Sequence, residues 1–133
     1  FGAAITPKGK RIIAVTGSAG KRDTVKRPIF GEILDKYADM IVLTEDDPRD
    51  EKIIDICNEI ASGIKKTPYI IIEDRYQAIR EAIQLAEDND TILILGKGDE
   101  EFIYRDYGRE PYEGDDNIVR EVLTKYYFQN ENN

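Results

Sequence analysis

The sequence predicts an α/β fold, in which a mostly parallel sheet has helices on both faces and a late hairpin forms an antiparallel edge. Two observations support this prediction. Four short apolar runs, rich in β-branched residues, have the length and composition of buried strands. Between them lie segments whose apolar residues recur with the period of a helix, and strands joined through helices pair in parallel by right-handed crossovers.

The individual elements follow from the apolar runs and from the residues that interrupt them. The run 11–16 is the first strand and ends at the glycine loop that begins with Gly17. Pro28 suits a first helical turn, and Gly63 is a plausible C-cap for the second helix. The expected strands are 11–16, 40–43, 69–72 and 91–95, and the expected helices cover 28–38, 51–62, 76–86 and 118–126.

Beyond residue 95 the alternation gives way to a predicted hairpin. Segments 102–105 and 109–112 can pair across Asp106-Tyr107-Gly108, which gives the sheet its antiparallel edge. The run Asp115-Asp116-Asn117 offers an N-cap for the last helix. The length and the lack of an internal linker or repeat fit a single domain over residues 1–133.

Composition argues against several classes of function. A formal net charge of −8 does not favour nucleic-acid binding, and no apolar run approaches the roughly 20 residues that span a bilayer. The chain has no histidine and one cysteine, so it lacks the residues of zinc sites and of histidine-based catalytic triads. Cys57 falls on an apolar helical stripe and is interpreted as a core residue rather than a reactive thiol. A single cysteine without a signal-like start fits a reducing cytoplasm.

Polar residues collect in loops that follow the strands, where ligands bind to open parallel sheets. The loop 17–27 combines glycines with Lys21, Arg22, Lys26 and Arg27 ahead of a helix N-terminus, a favourable setting for an anion. It matches neither the Walker A spacing nor Gly-x-Gly-x-x-Gly. The alternative is a tight turn with a solvated basic flank.

Two further loops have comparable features. In the loop 45–49, the fork of Arg49 suits a carboxylate and Asp47 can accept from an ammonium group, which together suit an amino acid. The alternative is an acidic turn that caps the following helix. In the loop 96–100, Lys97, Asp99 and Glu100 form either a solvated turn or, because two glycines flank the lysine, a close backbone approach to a ligand.

In their order and spacing, these loops resemble the C-terminal domain of the Mur ligases, of the type that adds the third residue of the peptidoglycan stem peptide. The likeness extends from about Arg11 to Leu123 and implies a Rossmann-like fold. Residues 17–28 resemble the family's glycine loop with Arg-Asp and Lys-Arg-Pro. Asp46-Asp-Pro-Arg49 resembles its Asp-Asn-Pro-Arg, and Gly96-Lys-Gly-Asp-Glu100 its Gly-Lys-Gly-His-Glu.

The resemblance implies part of an ATP-dependent amide ligase. ATP phosphorylates a carboxylate of UDP-N-acetylmuramoyl-L-alanyl-D-glutamate, and the amine of the incoming amino acid displaces the phosphate. The C-terminal domain receives that amino acid, and Lys26 and Arg27 are expected to support domain closure or anion binding. The implied amino-acid-binding positions are Arg22, Asp47, Arg49, Gly96 and Glu100.

The resemblance also implies what this chain lacks. The family's phosphate loop and magnesium ligands belong to a central domain, and the UDP-substrate is bound by an N-terminal domain. We therefore expect residues 1–133 to be a fragment without catalytic residues or metal ligands, inactive alone, while ATP and Mg²⁺ serve the full-length enzyme.

The identity of the amino acid and the class of function have alternatives. Arg49 favours meso-diaminopimelate, whereas Asp47, in a position usually held by asparagine, would attract the terminal ammonium of L-lysine, and Asp99 adds negative charge. Diaminopimelate is favoured, with L-lysine as the alternative. A free-standing small-ligand module, another ligase of the same superfamily and a nucleotide-binding Rossmann domain are the competing classes.

Overall fold

The computed structural model describes residues 10–18, 20, 24–97 and 100–125. Strands and helices alternate up to residue 94, after which a hairpin and a last helix follow. The elements are β1 Ile12–Thr16, α1 Lys26–Tyr37, β2 Met40–Leu43, α2 Ile53–Ala61, β3 Tyr69–Ile71, α3 Arg75–Leu85, β4 Thr91–Ile94, β5 Phe102–Arg105, β6 Gly108–Pro111 and α4 Asp115–Leu123.

The main sheet has four strands in the order β3-β2-β1-β4, and every pair is parallel. Val15 of β1 lies in register with Val42 of β2 on one side and with Ile94 of β4 on the other. The chain therefore moves outward from β1 in one direction and returns to its other side through α3. The predicted α/β class with a mostly parallel sheet is confirmed.

Helices cover both faces of this sheet because side chains on each strand alternate between the faces. Ala14, Ile41 and Leu43 pack with α1 and α2, whereas Ile13 and Val42 pack with α3 and α4. The predicted arrangement of helices on both faces is confirmed. In the described part of the chain, no helix combines the length and apolar character that crossing a membrane requires.

Helices α1 and α2 approach closely through two glycines. A Cβ on Gly31 would lie 1.9 Å from the carbonyl oxygen of Ile60, and one on Gly63 would lie 1.9 Å from that of Pro28. The C-cap of α2 is Ser62, so Gly63 is not the cap that the sequence predicts. Its glycine identity permits helix packing instead.

The predicted hairpin is present, but β5 and β6 form a separate two-stranded sheet instead of extending the main sheet. The hairpin lies against the loop after β2, where the amide of Arg49 donates to the carbonyl of Tyr104 at 2.9 Å. The backbone amide of Arg49 thus gives β5 a hydrogen-bond partner outside the main sheet.

The last helix, α4, also begins differently from the prediction. It starts at Asp115, and Gly114 is the N-cap, with a φ of 93° that favours glycine. The Asp115 side chain is buried and turns toward Arg75 rather than capping the helix.

Candidate functional site

Three loops meet beyond the carboxyl ends of β1, β2 and β4. Gly20 of the first loop donates its amide to the carbonyl of Asp47 in the second, at 2.9 Å. The third loop reaches the second through Lys97, whose Nζ lies 2.7 Å from Asp47 Oδ1. Ligand crevices of open parallel sheets form where the strand order reverses, which here is between β1 and β4. These loops define the candidate site.

Lys97 is the buried centre of the site. Its side chain is fully buried, and its Nζ donates to Asp47 Oδ1 and to Glu100 Oε1, both at 2.7 Å. Burial alone would lower the pKa of Lys97, but the hydrogen bonds with these two carboxylates outweigh burial and raise the pKa above its usual value. Lys97 therefore remains an ammonium group and fixes two predicted amino-acid-binding residues in place.

The backbone of the second loop adopts an unusual conformation. Asp47 has a φ of 47° and Arg49 a φ of 55°, in the left-handed region that non-glycine residues rarely adopt. Two hydrogen bonds to the hairpin hold this conformation: Tyr104 donates its amide to Asp47 Oδ1 at 3.0 Å, and Arg49 donates its amide to the Tyr104 carbonyl. Such strain costs about 1–3 kcal/mol per residue and is typical of functional sites.

The guanidinium of Arg49 has weak contacts within the described part of the chain. Nη1 lies 3.4 Å from the carbonyl oxygens of Gly20 and Asp47, and the guanidinium lies 5.9 Å from the centre of the Tyr104 ring. These contacts orient the fork without giving it a carboxylate partner among the described residues. The arrangement suits the two parallel hydrogen bonds that a ligand carboxylate accepts from arginine.

Gly96 is required for the third loop to approach the second. Its φ is 119°, and a Cβ there would lie 2.5 Å from Asp46 Oδ2. Burial raises the pKa of the Asp46 carboxyl, although the nearby Arg75 acts in the opposite direction. A side chain at position 96 would displace this half-buried carboxylate.

Arg75 holds the base of the site together. Its Nη1 donates to the carbonyl of Glu45, after β2, and its Nη2 to the carbonyl of Leu95, after β4, both at 2.9 Å. Glu45 Oε2 in turn accepts from the Arg75 amide at 3.1 Å, and Glu45 Oε1 pairs with Arg105 of the hairpin at 2.8 Å. These contacts connect two sheet strands, α3 and the hairpin beneath the loops.

The remaining predicted residues lie apart from this cluster or outside the described chain. Arg22 and Asp99 fall among the residues that the structure leaves undescribed. Lys26 begins α1 and is exposed. Arg27 is buried, with hydrogen bonds of 3.0 Å to both oxygens of Glu51 and of 3.3 Å to Glu59. Arg27 thus joins α1 to α2.

The sequence assigns no site role to Lys97, Tyr104 or Arg75, although all three hold site residues in the structure. Lys97 has a recognisable signal, a lysine between two glycines directly after a buried strand. Tyr104 acts through its backbone. Arg75 acts on loop residues 30 and 20 positions away in sequence, so its neighbours in the sequence do not identify its partners. Among the residues described, no three cysteine, aspartate or glutamate side chains lie together as potential metal ligands.

Comparison with known proteins identifies the family. The model of the family described as "Mur ligase, glutamate ligase domain" matches residues 2–98, well over half of the chain. The chain belongs to the Mur ligase family. The predicted family is therefore confirmed for this Mur ligase domain.

Relatives of this Mur ligase domain have the name UDP-N-acetylmuramoyl-L-alanyl-D-glutamate--2,6-diaminopimelate ligase. The protein of Caldanaerobacter subterraneus subsp. tengcongensis is 45% identical over 118 residues, which are 86% of this chain and 24% of the relative. The Aquifex aeolicus protein is 43% identical over 117 residues, which are 87% of this chain and 24% of the relative. A solved structure of a ligase with the same name matches with a TM-score of 0.80 and 30% identity. This match covers 86% of the present chain and 24% of the solved chain. This Mur ligase domain thus spans about a quarter of the length of these relatives.

Proposed function

We propose that this chain is the C-terminal, amino-acid-binding domain of an ATP-dependent ligase of peptidoglycan synthesis. In that reaction meso-diaminopimelate is joined to UDP-N-acetylmuramoyl-L-alanyl-D-glutamate. The names of the relatives support this proposal, as do the Asp46-Asp-Pro-Arg49 and Gly96-Lys-Gly-Asp-Glu100 motifs. The reaction belongs to the longer protein, with this domain as its receptor for the amino acid.

One observation supports this function most directly. A weakly engaged guanidinium at Arg49 lies in the same strained loop as Asp47, whose carboxylate is fixed beside Glu100 by a buried lysine. An amino acid presents a carboxylate and an ammonium group a few ångströms apart. Arg49 can receive the carboxylate, and the two acidic side chains can receive the ammonium group.

ATP and Mg²⁺ belong to other parts of the longer ligase in this proposal. Among the described residues, no three carboxylate or thiol side chains lie together as potential metal ligands, and this proposal places the magnesium ligands elsewhere in the ligase. Arg22 is assigned to amino-acid binding and the exposed Lys26 to contact with the rest of the enzyme, which would bind the nucleotide and the UDP-muramoyl dipeptide. Arg27 has no such role in this proposal, because it is buried in its ion pairs with Glu51 and Glu59. Cytoplasmic location follows from the substrates in this proposal.

A chemical-shift titration of the 133-residue chain with meso-diaminopimelate and with L-lysine tests this function. We expect saturable shifts in the loops that contain Asp47 and Gly96, and their loss in Arg49→Ala. Arg120→Ala, on the exposed side of α4, is the matched control and should bind as the wild type does. No shift with either amino acid at millimolar concentration would contradict the proposal and favour a binding module for another ligand.

A further inference from the structure

Asp47 is the residue at which this chain differs from the asparagine of the family motif, and the structure gives its charge a partner. Asp47 Oδ1 accepts from Lys97 Nζ at 2.7 Å and from the Tyr104 amide at 3.0 Å. The Asp47 side chain is 16% exposed and that of Lys97 is 0% exposed, so water screens this ion pair little. A ligand beside Asp47 would therefore meet a carboxylate whose negative charge is offset by that of Lys97.

Asp47, Lys97 and Glu100 form a charged cluster, and the net charge of this cluster affects which amino acid it favours. Of these three side chains, Asp47 and Glu100 contribute two negative charges and Lys97 one positive charge, which leaves the three together with one net negative charge. At neutral pH, meso-diaminopimelate has two ammonium and two carboxylate groups, whereas L-lysine has two ammonium groups and one carboxylate. A more negative cluster therefore favours lysine, and a less negative cluster favours diaminopimelate.

We infer that Lys97 is a specificity-determining positioning residue, which holds Asp47 and Glu100 and offsets their charge so that the site accepts an amino acid with a second carboxylate. This inference rests on the proposed function, since it concerns the same site. It assigns the selectivity to a side chain that is buried beneath the ligand and not to Arg49 alone.

Three variants of the 133-residue chain test this inference. Lys97→Met makes the cluster one unit more negative, Asp47→Asn makes it one unit less negative, and the double variant returns it to the wild-type net charge. For each variant, affinities for meso-diaminopimelate and L-lysine are measured by chemical-shift titration, and folding is checked by the amide spectrum. The readout is the ratio of the two affinities, which a purely structural role of Lys97 would leave unchanged.

We expect Lys97→Met to shift the ratio toward lysine by on the order of tenfold. Asp47→Asn should shift it toward diaminopimelate, and the double variant should return it close to wild type. If Lys97→Met does not fold, the test rests on Asp47→Asn, and a shift of its affinity ratio toward lysine would overturn the inference. Ratios that stay constant, or that move in one direction for both single variants, would overturn the inference. Wild-type protein that binds neither amino acid would overturn the proposed function and the inference together.

Discussion

Arg75 donates from Nε and Nη2 to the two carboxylate oxygens of Asp115, at 2.8 Å each, across 40 residues of sequence. Both side chains are almost fully buried, at 0% and 5% exposure. The hydroxyl of Tyr112 also donates to Asp115. This bidentate pair fixes the first turn of α4 against the first turn of α3.

Loss of either partner of this pair should destabilise the fold strongly. In Asp115→Ala, the guanidinium of Arg75 stays buried without its counter-charge, and we expect the free energy of unfolding to fall by about 3–5 kcal/mol. Asp116→Ala, at the exposed neighbouring position, should change it by less than about 1 kcal/mol. Urea denaturation of both variants measures the difference. Equal effects would show that burial of the pair is unimportant.

Gly96 and Gly108 allow a comparison between backbone strain and steric contact. Both have a φ of 119°, but a Cβ on Gly96 would meet Asp46 Oδ2 at 2.5 Å, whereas one on Gly108 meets nothing within 4 Å. We expect Gly108→Ala to cost about 1 kcal/mol and Gly96→Ala about 2–3 kcal/mol. Thermal unfolding of the two variants provides the test, and equal costs would exclude a contribution from the contact with Asp46.

Cys57 should be unreactive in the folded protein. It is fully buried, its thiol lies 3.6 Å from the Thr44 carbonyl, and burial raises its pKa to about 12, with Glu73 and Glu45 acting in the same direction. Because the thiolate is the reactive form, modification by a disulfide reagent at pH 8 should be slow and become fast in denaturant. Rapid modification of the native chain would contradict this assignment to the core.

Asp35 should make stability depend on pH in the acid range. Burial would raise its pKa, but hydrogen bonds from the backbone of Thr67 and Lys66 outweigh burial and lower the pKa from 3.8 to about 2. A lowered carboxyl pKa adds stability above about pH 4, and this contribution disappears as the pH falls through about 2.

The variant Asp35→Asn keeps an acceptor oxygen but removes the charge. We expect it to have a lower urea midpoint than the wild type at pH 7 and a difference that shrinks at pH 2. Asp88→Asn, at an exposed loop position, is the control and should show little difference at either pH. A difference for Asp35→Asn that is independent of pH would contradict the assigned pKa.

The parallel core could be predicted from local sequence because its signals are local. The apolar run Met40–Leu43 coincides with β2 residue for residue, since a short β-branched run between polar turns favours a buried strand. The convergence of the three loops follows from the same pattern, because carboxyl ends of parallel strands lie at one edge. The partners of individual side chains do not follow from it.

The features that the sequence could not predict depend on distant contacts. Arg27 has the same local context as Lys26, yet it is buried against Glu51 and Glu59, which lie 24 and 32 residues away. Gly63 has the sequence position of a C-cap. In the structure a glycine is needed there because the carbonyl oxygen of Pro28 leaves no room for a Cβ. The position of the hairpin depends on hydrogen bonds with the second loop, which strand propensity does not encode.

The hydrogen bonds between Tyr104 and the Asp47–Arg49 loop place a limit on how this domain can be divided. The family match ends at residue 98, whereas the backbone group that holds Arg49 in its left-handed conformation belongs to residue 104. A chimera that exchanges only these loops between two members of the family would transfer their side chains without the strand that sets the backbone angle of the second loop. The smallest unit that keeps the geometry of these loops therefore extends through the hairpin, and the Arg75–Asp115 pair extends it to the start of α4.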